Sequence, residues 1–221
     1  MECAVSPLSA IVAVFAVCAA TAVVASLTNR RVLFAVAKPL TTALLFVVVG
    51  LPQSGFARLI DLGIAFSLAG DVALLLPTKN AFLLGLAIFL GAHIAYISAF
   101  VGVAGLEVLS PPAAVAALVT GLVTIWVLRR LWPRAAGIRV PLVIYGCALG
   151  TMVVTAVAAV SSAGGELPVA VALGAAMFYV GDASLALDRF DKPIKYAALL
   201  TLGVYWLGQL AIALGARVAP F

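Results

Sequence analysis

The chain of 221 residues is 66% hydrophobic and only 10% charged, with a net charge of +5. Soluble domains carry about 45–50% apolar and about 25% charged residues, so a water-soluble fold is excluded and the chain reads as an all-α, polytopic membrane helix bundle. A single histidine excludes an H-E-x-x-H zinc site, and Cys3, Cys18 and Cys147 form no C-x-x-C pair.

A membrane span takes about 20 predominantly apolar residues. Cutting the sequence at its charges and turn residues predicts eight transmembrane helices, over 8–27, 33–50, 58–76, 81–103, 112–128, 140–160, 167–187 and 195–215. The joints carry turn chemistry: "TNRR" from 28, "LPQSG" from 51, "PTKN" from 77, "SPP" from 110, "RRLWPR" from 129, "SSAGGELP" from 161 and "DRFDKP" from 188. Loops this short leave no room for a soluble domain, so residues 1–221 read as one membrane domain. The first span follows Glu2 rather than a basic segment, and its uncharged run from Cys3 to Asn29 exceeds the about 7–15 residues of a signal-peptide core. It is expected to be a retained helix. The cysteines read as free apolar fillers.

Lys and Arg gather in short cytoplasmic loops. Arg30, Arg31, Lys79, Arg129, Arg130, Arg134, Arg139, Arg189, Lys192 and Lys195 all fall on one side of this topology, against Arg58 and Arg217 on the other. The expected orientation in a bacterial-type cell membrane therefore puts both termini on the non-cytoplasmic side. The basic face suits anionic lipid headgroups, and nucleic acid is not needed to explain the charge.

Two stretches are nearly alike: "GDVALLL" at 70–76 and "GDASLAL" at 181–187. "FLGAH" at 89–93 follows the first and "WLGQL" at 206–210 the second, each in the next helix. The chain is expected to contain two parallel four-helix halves, 1–108 and 112–221, because an even number of spans preserves direction. Asp71 precedes Lys79 by eight residues and Asp182 precedes Arg189 by seven, depths of roughly 12 and 10 Å at about 1.5 Å per residue. Lys38 lies seven residues beyond Arg31, at a similar level. Three ionisable side chains thus share one layer. Each alone would cost about 2.5–3.5 kcal/mol to insert, which argues that they face one another or a common polar cavity.

Two neighbouring carboxyls share a proton, which leaves one acid and one base, a combination suited to hydrolysis through an oxocarbenium-like state. Lys38 could steady the base or bind a lipid phosphate. It could instead serve with one aspartate as structural glue, but two acids against one lysine leave a carboxyl without an obvious partner, which favours function. His93 and Tyr96 share a helix face by spacing, as do Tyr205 and Gln209, and these four are expected to line the cavity farther from the cytoplasmic edge. Asp61 is expected near the outer interface. A metal site built from Asp71, Asp182 and His93 is disfavoured by their differing depths. No P-loop, G-x-S-x-G elbow or complete dinucleotide fingerprint occurs.

The segments "KPLTT" at 38–42, "LAGDVALLL" at 68–76, "FLGAHIAYISAF" at 89–100, "GAAMFYVGDASLALDRF" at 174–190 and "YWLGQLAIALG" at 205–215, in this order, resemble the YhhN-like lysoplasmalogenase family. The resemblance covers helices two to four and seven to eight. It implies an eight-helix membrane hydrolase that cleaves the vinyl ether bond of lysoplasmalogens, releasing a fatty aldehyde and glycerophosphoethanolamine or glycerophosphocholine. Asp71 and Asp182 match the family's motif acids and Lys38 its lysine. One departure is visible: Gly181 precedes the second acid where the family often has serine. The expected partners are a lysophospholipid substrate and membrane lipids; no metal or organic cofactor is expected. The alternative reading is a proton-coupled small-molecule transporter, since paired halves and intramembrane acids also mark such carriers. Against it, no helix shows a Gly/Pro interruption, Pro39 and Pro141 being expected near helix starts.

Overall fold

A computed structural model describes residues 7–163 and 165–218. Among them the chain forms eight α-helices and no strand: α1 Pro7–Leu27, α2 Arg31–Val49, α3 Gly55–Ala73, α4 Lys79–Ala104, α5 Pro111–Leu131, α6 Arg139–Ala163, α7 Glu166–Phe190 and α8 Val204–Val218. The local chemistry of the joints explains the boundaries. Ser54 and Thr78 cap α3 and α4, their hydroxyls accepting from the N–H groups of Ala57 (3.2 Å) and Ala81 (3.1 Å), which satisfies donors that a helix start leaves open. Pro111 opens α5, where a missing N–H does no harm. Asn29 and Gly50 turn the chain with positive φ.

The helices fall on the expected spans, with local differences. A 3-10 turn, Gly105–Leu109, lengthens the link between α4 and α5, and α7 runs on to Phe190. The eighth span opens with a π-helical turn, Leu199–Gly203, before α8 begins. Pro39 stands inside α2 rather than at its start. The helix continues through it, although proline cannot donate to the carbonyl one turn earlier.

Seven spans are long and apolar enough to cross a membrane by composition alone. The exception is α3, which carries Arg58, Asp61 and Asp71 within nineteen residues. It nonetheless packs inside the bundle, along α4 and against α2 and α8. Asp61 is half-buried, with one carboxyl oxygen lacking a hydrogen bond. The outward faces keep large apolar side chains exposed, such as Leu118, Leu122 and Trp126 on α5, as a lipid solvent requires. Cys18 and Cys147 are free thiols; Cys3 lies outside the described residues.

Helix neighbours occur in matching pairs. The contact of α1 with α2 is repeated by α5 with α6, that of α2 with α3 by α6 with α7, and that of α3 with α4 by α7 with α8; α2 also packs on α8 as α6 packs on α4. The glycine before each of Asp71 and Asp182 has a packing role. A Cβ on Gly70 would meet the Phe89 ring of α4 at 2.5 Å, and one on Gly181 would meet the Thr201 carbonyl and the Tyr205 backbone N at 3.1 Å. Small residues at these points let adjacent helices close up, which is how membrane helices gain packing without a hydrophobic driving force.

Among the described glycines the closest approach to another helix's backbone is between α7 and α8. A Cβ on Gly208 would lie 2.5 Å from the Gly174 carbonyl oxygen and 2.9 Å from the Phe178 nitrogen. Both obstacles are backbone, so neither can swing aside. Gly208→Ala is therefore expected to destabilise the fold by about 1–3 kcal/mol, read as a lower Tm in detergent. An unchanged Tm would show that the two backbones are not in contact.

Candidate active site

Helical spacing prepares the site. Lys38 and Thr42 on α2, Ser67 and Asp71 on α3, and Tyr205 and Gln209 on α8 are each four residues apart, so each pair projects from one face. These faces converge on Asp71, whose side chain is 2% exposed. Its Oδ1 lies 3.2 Å from Lys38 Nζ, and Lys38 also donates to the Asp71 carbonyl at 3.3 Å. Its Oδ2 accepts from Thr42 Oγ1 at 2.5 Å and from the Tyr205 hydroxyl at 3.3 Å. Trp206 Nε1 in turn donates to Thr42 Oγ1 at 3.1 Å. A buried ion pair is tolerable when its remaining lone pairs and protons are satisfied in this way.

Asp182, on α7, has a different setting. Its Oδ2 accepts a short hydrogen bond from the Tyr145 hydroxyl of α6 and stands 3.9 Å from His93 Nε2. Its side chain is 10% exposed. His93 is fully buried, with its ring edge-on to Tyr145 and to Phe178, centroids 5.0 Å apart in both cases, and neither ring nitrogen completes a hydrogen bond. No hydrogen bond joins Asp71 to Asp182 among the described residues; each carboxyl has its own partners.

Both carboxyls line one cavity of about 280 Å³, together with Lys38, Tyr145 and Tyr205. Leu74 just after α3 and leucines of α4 to α7, such as Leu86, Leu128, Leu149 and Leu185, supply apolar walls, and Asp188 and Arg189 line it at the basic end of the bundle. The volume lies just below the about 300–1,000 Å³ of typical small-ligand sites, enough for a reacting segment with an apolar extension. No group of three His, Cys, Asp or Glu side chains converges as metal ligands among the described residues.

The structure thus brings Lys38, Asp71, Asp182 and Tyr205 to the cavity wall. His93, Tyr96 and Gln209 stand behind that wall, fully buried. Tyr96 donates to Gln209 Oε1 at 2.6 Å, and Gln209 Nε2 donates to Ser67 Oγ at 2.8 Å and to the Tyr205 hydroxyl at 3.3 Å. A hydrogen-bonded chain therefore runs from Tyr96 to Asp71. Sequence reasoning missed Thr42, Ser67, Tyr145 and Trp206. Thr42 sat inside the quoted "KPLTT". For Tyr145 a weak signal existed: it lies six residues into α6, much as Lys38 lies seven into α2.

A lysine of α2, a carboxyl of α3 and a second carboxyl of α7, all on one cavity, follow the order of the segments quoted from the sequence, and comparison agrees. The YhhN family profile matches residues 33–216. The chain belongs to the YhhN family. YhhN relatives include the Homo sapiens protein named lysoplasmalogenase TMEM86B, 31% identical over 170 residues, 76% of this chain and 68% of the relative. The Rattus norvegicus lysoplasmalogenase TMEM86B is 29% identical over 83% of this chain and 72% of its own. The Homo sapiens lysoplasmalogenase TMEM86A is 30% identical over 72% of this chain and 65% of its own. No solved structure matches significantly. The matched region of this YhhN protein spans α2 through most of α8 and contains every residue of the site just described.

Proposed function

We propose that this YhhN protein is a lysoplasmalogenase that hydrolyses the vinyl ether bond of a lysophospholipid to a fatty aldehyde and glycerophosphoethanolamine or glycerophosphocholine. The observation that carries the reading is the unequal pair of carboxyls on one cavity: Asp71 locked by a lysine and two hydroxyls, Asp182 held by one tyrosine and open to the cavity. Such an arrangement keeps one group charged and leaves the other to exchange a proton.

In this mechanism protonated Asp182 gives its proton to the vinyl carbon remote from the ether oxygen, producing an oxocarbenium. Asp71, ionised beside Lys38, stabilises the cation, and with Tyr205 it orients a water onto the carbon bound to oxygen. The water adds there and returns a proton to Asp182. The hemiacetal then splits: its C–O bond to glycerol breaks, its hydroxyl proton passes to the departing oxygen, and the aldehyde is left. One water is consumed and the protein ends as it began. The general acid step belongs to a class worth about 10²–10⁴ in rate, and the fixed charge of Asp71 is already in place where the cation forms.

The proposal extends to the architecture. Halves 1–108 and 112–221 each contribute one carboxyl on their third helix and its partner on their second. The basic loops face the cytoplasm, so lipid reaches the site from that leaflet, its apolar chain lying among the leucines.

Aldehyde release from lysoplasmenylethanolamine and lysoplasmenylcholine by the detergent-purified protein tests this. In deuterated water the aldehyde is expected to carry one deuterium on the carbon next to the carbonyl, the atom protonated first. Absence of turnover on both lipids across a range of pH would reject the reading.

A further inference from the structure

Lys38 is the cation nearest the reacting groups, yet its ammonium is taken up by Asp71 through the carboxylate at 3.2 Å and the carbonyl at 3.3 Å. A substrate phosphate needs another partner. At the basic end of the bundle, Arg130 and Arg134 are bound to Asp191 at 2.7 and 3.2 Å. Arg139 stacks on Trp132 and donates to its carbonyl. Arg189 differs from all of these. It lines the cavity, its guanidinium lies 4.3 Å from the ring centroid of Phe82, itself a lining residue, and no carboxylate among the described residues pairs with it. A cation–π contact holds the planar group in place without using its in-plane donors.

Position supports the same assignment. Arg189 follows Asp182 by seven residues on α7, two turns along one face and roughly 10 Å of rise. A glycerol backbone with its phosphoester fits that interval once the arginine side chain reaches back. The adjacent Asp188 also lines the cavity, and its Oδ1 accepts from the Ile194 N–H at 2.7 Å, which fixes the carboxyl against the following loop.

We propose that Arg189 and Asp188 form the headgroup subsite: the guanidinium takes the phosphodiester of a lysolipid and the carboxylate its ammonium, while Lys38 serves only as the counter-ion of Asp71. This rests on the lysolipid reading above, and it names which residues recognise the zwitterion. Arginine presents paired donors that match phosphate geometry, and a cation and an anion side by side on the cavity wall complement the two charges of such a headgroup.

The test compares wild type, Arg189→Gln, Arg189→Lys and Asp188→Asn on three vinyl ethers: the lysophospholipids, the 1-alkenylglycerol phosphate without an amine, and the 1-alkenylglycerol without phosphate. Arg189→Gln is expected to raise KM for the lysophospholipids by about tenfold or more, as loss of a charge-assisted hydrogen bond would, with kcat and the KM for 1-alkenylglycerol unchanged; Arg189→Lys recovers part of the loss. Asp188→Asn, which keeps the oxygen that accepts from Ile194, is expected to raise KM only for substrates that carry an amine. An unchanged lysophospholipid KM in Arg189→Gln, or an equal rise for 1-alkenylglycerol, overturns the phosphate assignment. Unchanged headgroup discrimination in Asp188→Asn overturns the ammonium assignment. Binding of a saturated 1-alkyl lysophospholipid, followed by tryptophan fluorescence, separates this from the reaction itself. If wild type cleaves no vinyl ether, the functional reading falls, while weaker binding in Arg189→Gln still supports the subsite and equal binding overturns it.

Discussion

Asp182→Asn is expected to lower kcat for aldehyde release by about 10²–10⁴, the range lost when a positioned general acid is removed, while the protein keeps its fold. The structural reason lies in the surroundings of the side chain. Asp182 has one hydroxyl partner, Tyr145, and part of its surface faces the cavity, so an amide of the same shape can occupy the place and accept the same bond. It cannot supply a proton to carbon. Tyr145→Phe provides the graded companion. It leaves the carboxyl present but unheld, and it is expected to lower kcat less than Asp182→Asn does, with little change in KM. Turnover measured for the pair, with Tm as the control for folding, decides the point. An Asp182→Asn enzyme with wild-type kcat would remove Asp182 from the mechanism.

Lys38→Met is expected to destabilise the protein by about 3–5 kcal/mol, the cost of leaving one member of a buried ion pair without its partner. Asp71 has 2% of its side chain exposed and Lys38 6%, so what water reaches the pair from the cavity replaces little of the lost ammonium's charge. Met fills much of the same volume, which separates the charge effect from a cavity effect. Combining Lys38→Met with Asp71→Leu removes both charges and is expected to restore most of the Tm, because replacing a whole buried pair by apolar groups is often neutral or stabilising. The double variant is nevertheless expected to be inactive, since no anion then faces the cation that forms during reaction. Restored stability without activity would mean that the pair serves the chemistry; restored stability with full activity would reduce it to structural glue. Lys38→Glu, which sets two carboxylates together, is expected to be worse than Lys38→Met in both respects.

Gly181 shows how one local departure acquires meaning from its neighbours. The absence of a side chain there, where the family often has serine, lets Thr201 and Tyr205 approach α7 directly beside Asp182. The π-helical turn Leu199–Gly203 lies at the same place, and such widened turns occur often at functional sites. Together they bring Thr201, Leu202 and Tyr205 to the cavity wall.

Composition and spacing alone determined a helical membrane protein with its joints in place, because a bilayer admits few solutions for an apolar chain and each short loop must carry its own turn residues and charges. They also determined that Lys38, Asp71 and Asp182 share a layer, since depth in a helix follows from counting residues at a constant rise. Facing and partnership were decided only by the tertiary structure. Whether Lys38 served Asp71, Asp182 or a lipid depended on how α2 and α3 are rotated, and that depends on distant glycines and aromatic rings. Tyr145, one of several hydroxyl residues in an otherwise apolar helix, gave no sign of its partner because hydrogen bonds between helices leave no period in the sequence. His93, Tyr96 and Gln209 have helical spacings that put them on common faces, yet a face becomes a cavity wall or a buried seam only according to what packs against it. Here Phe178 and Tyr205 stand between Tyr96 and the open space, and that close packing is a property of the assembled bundle.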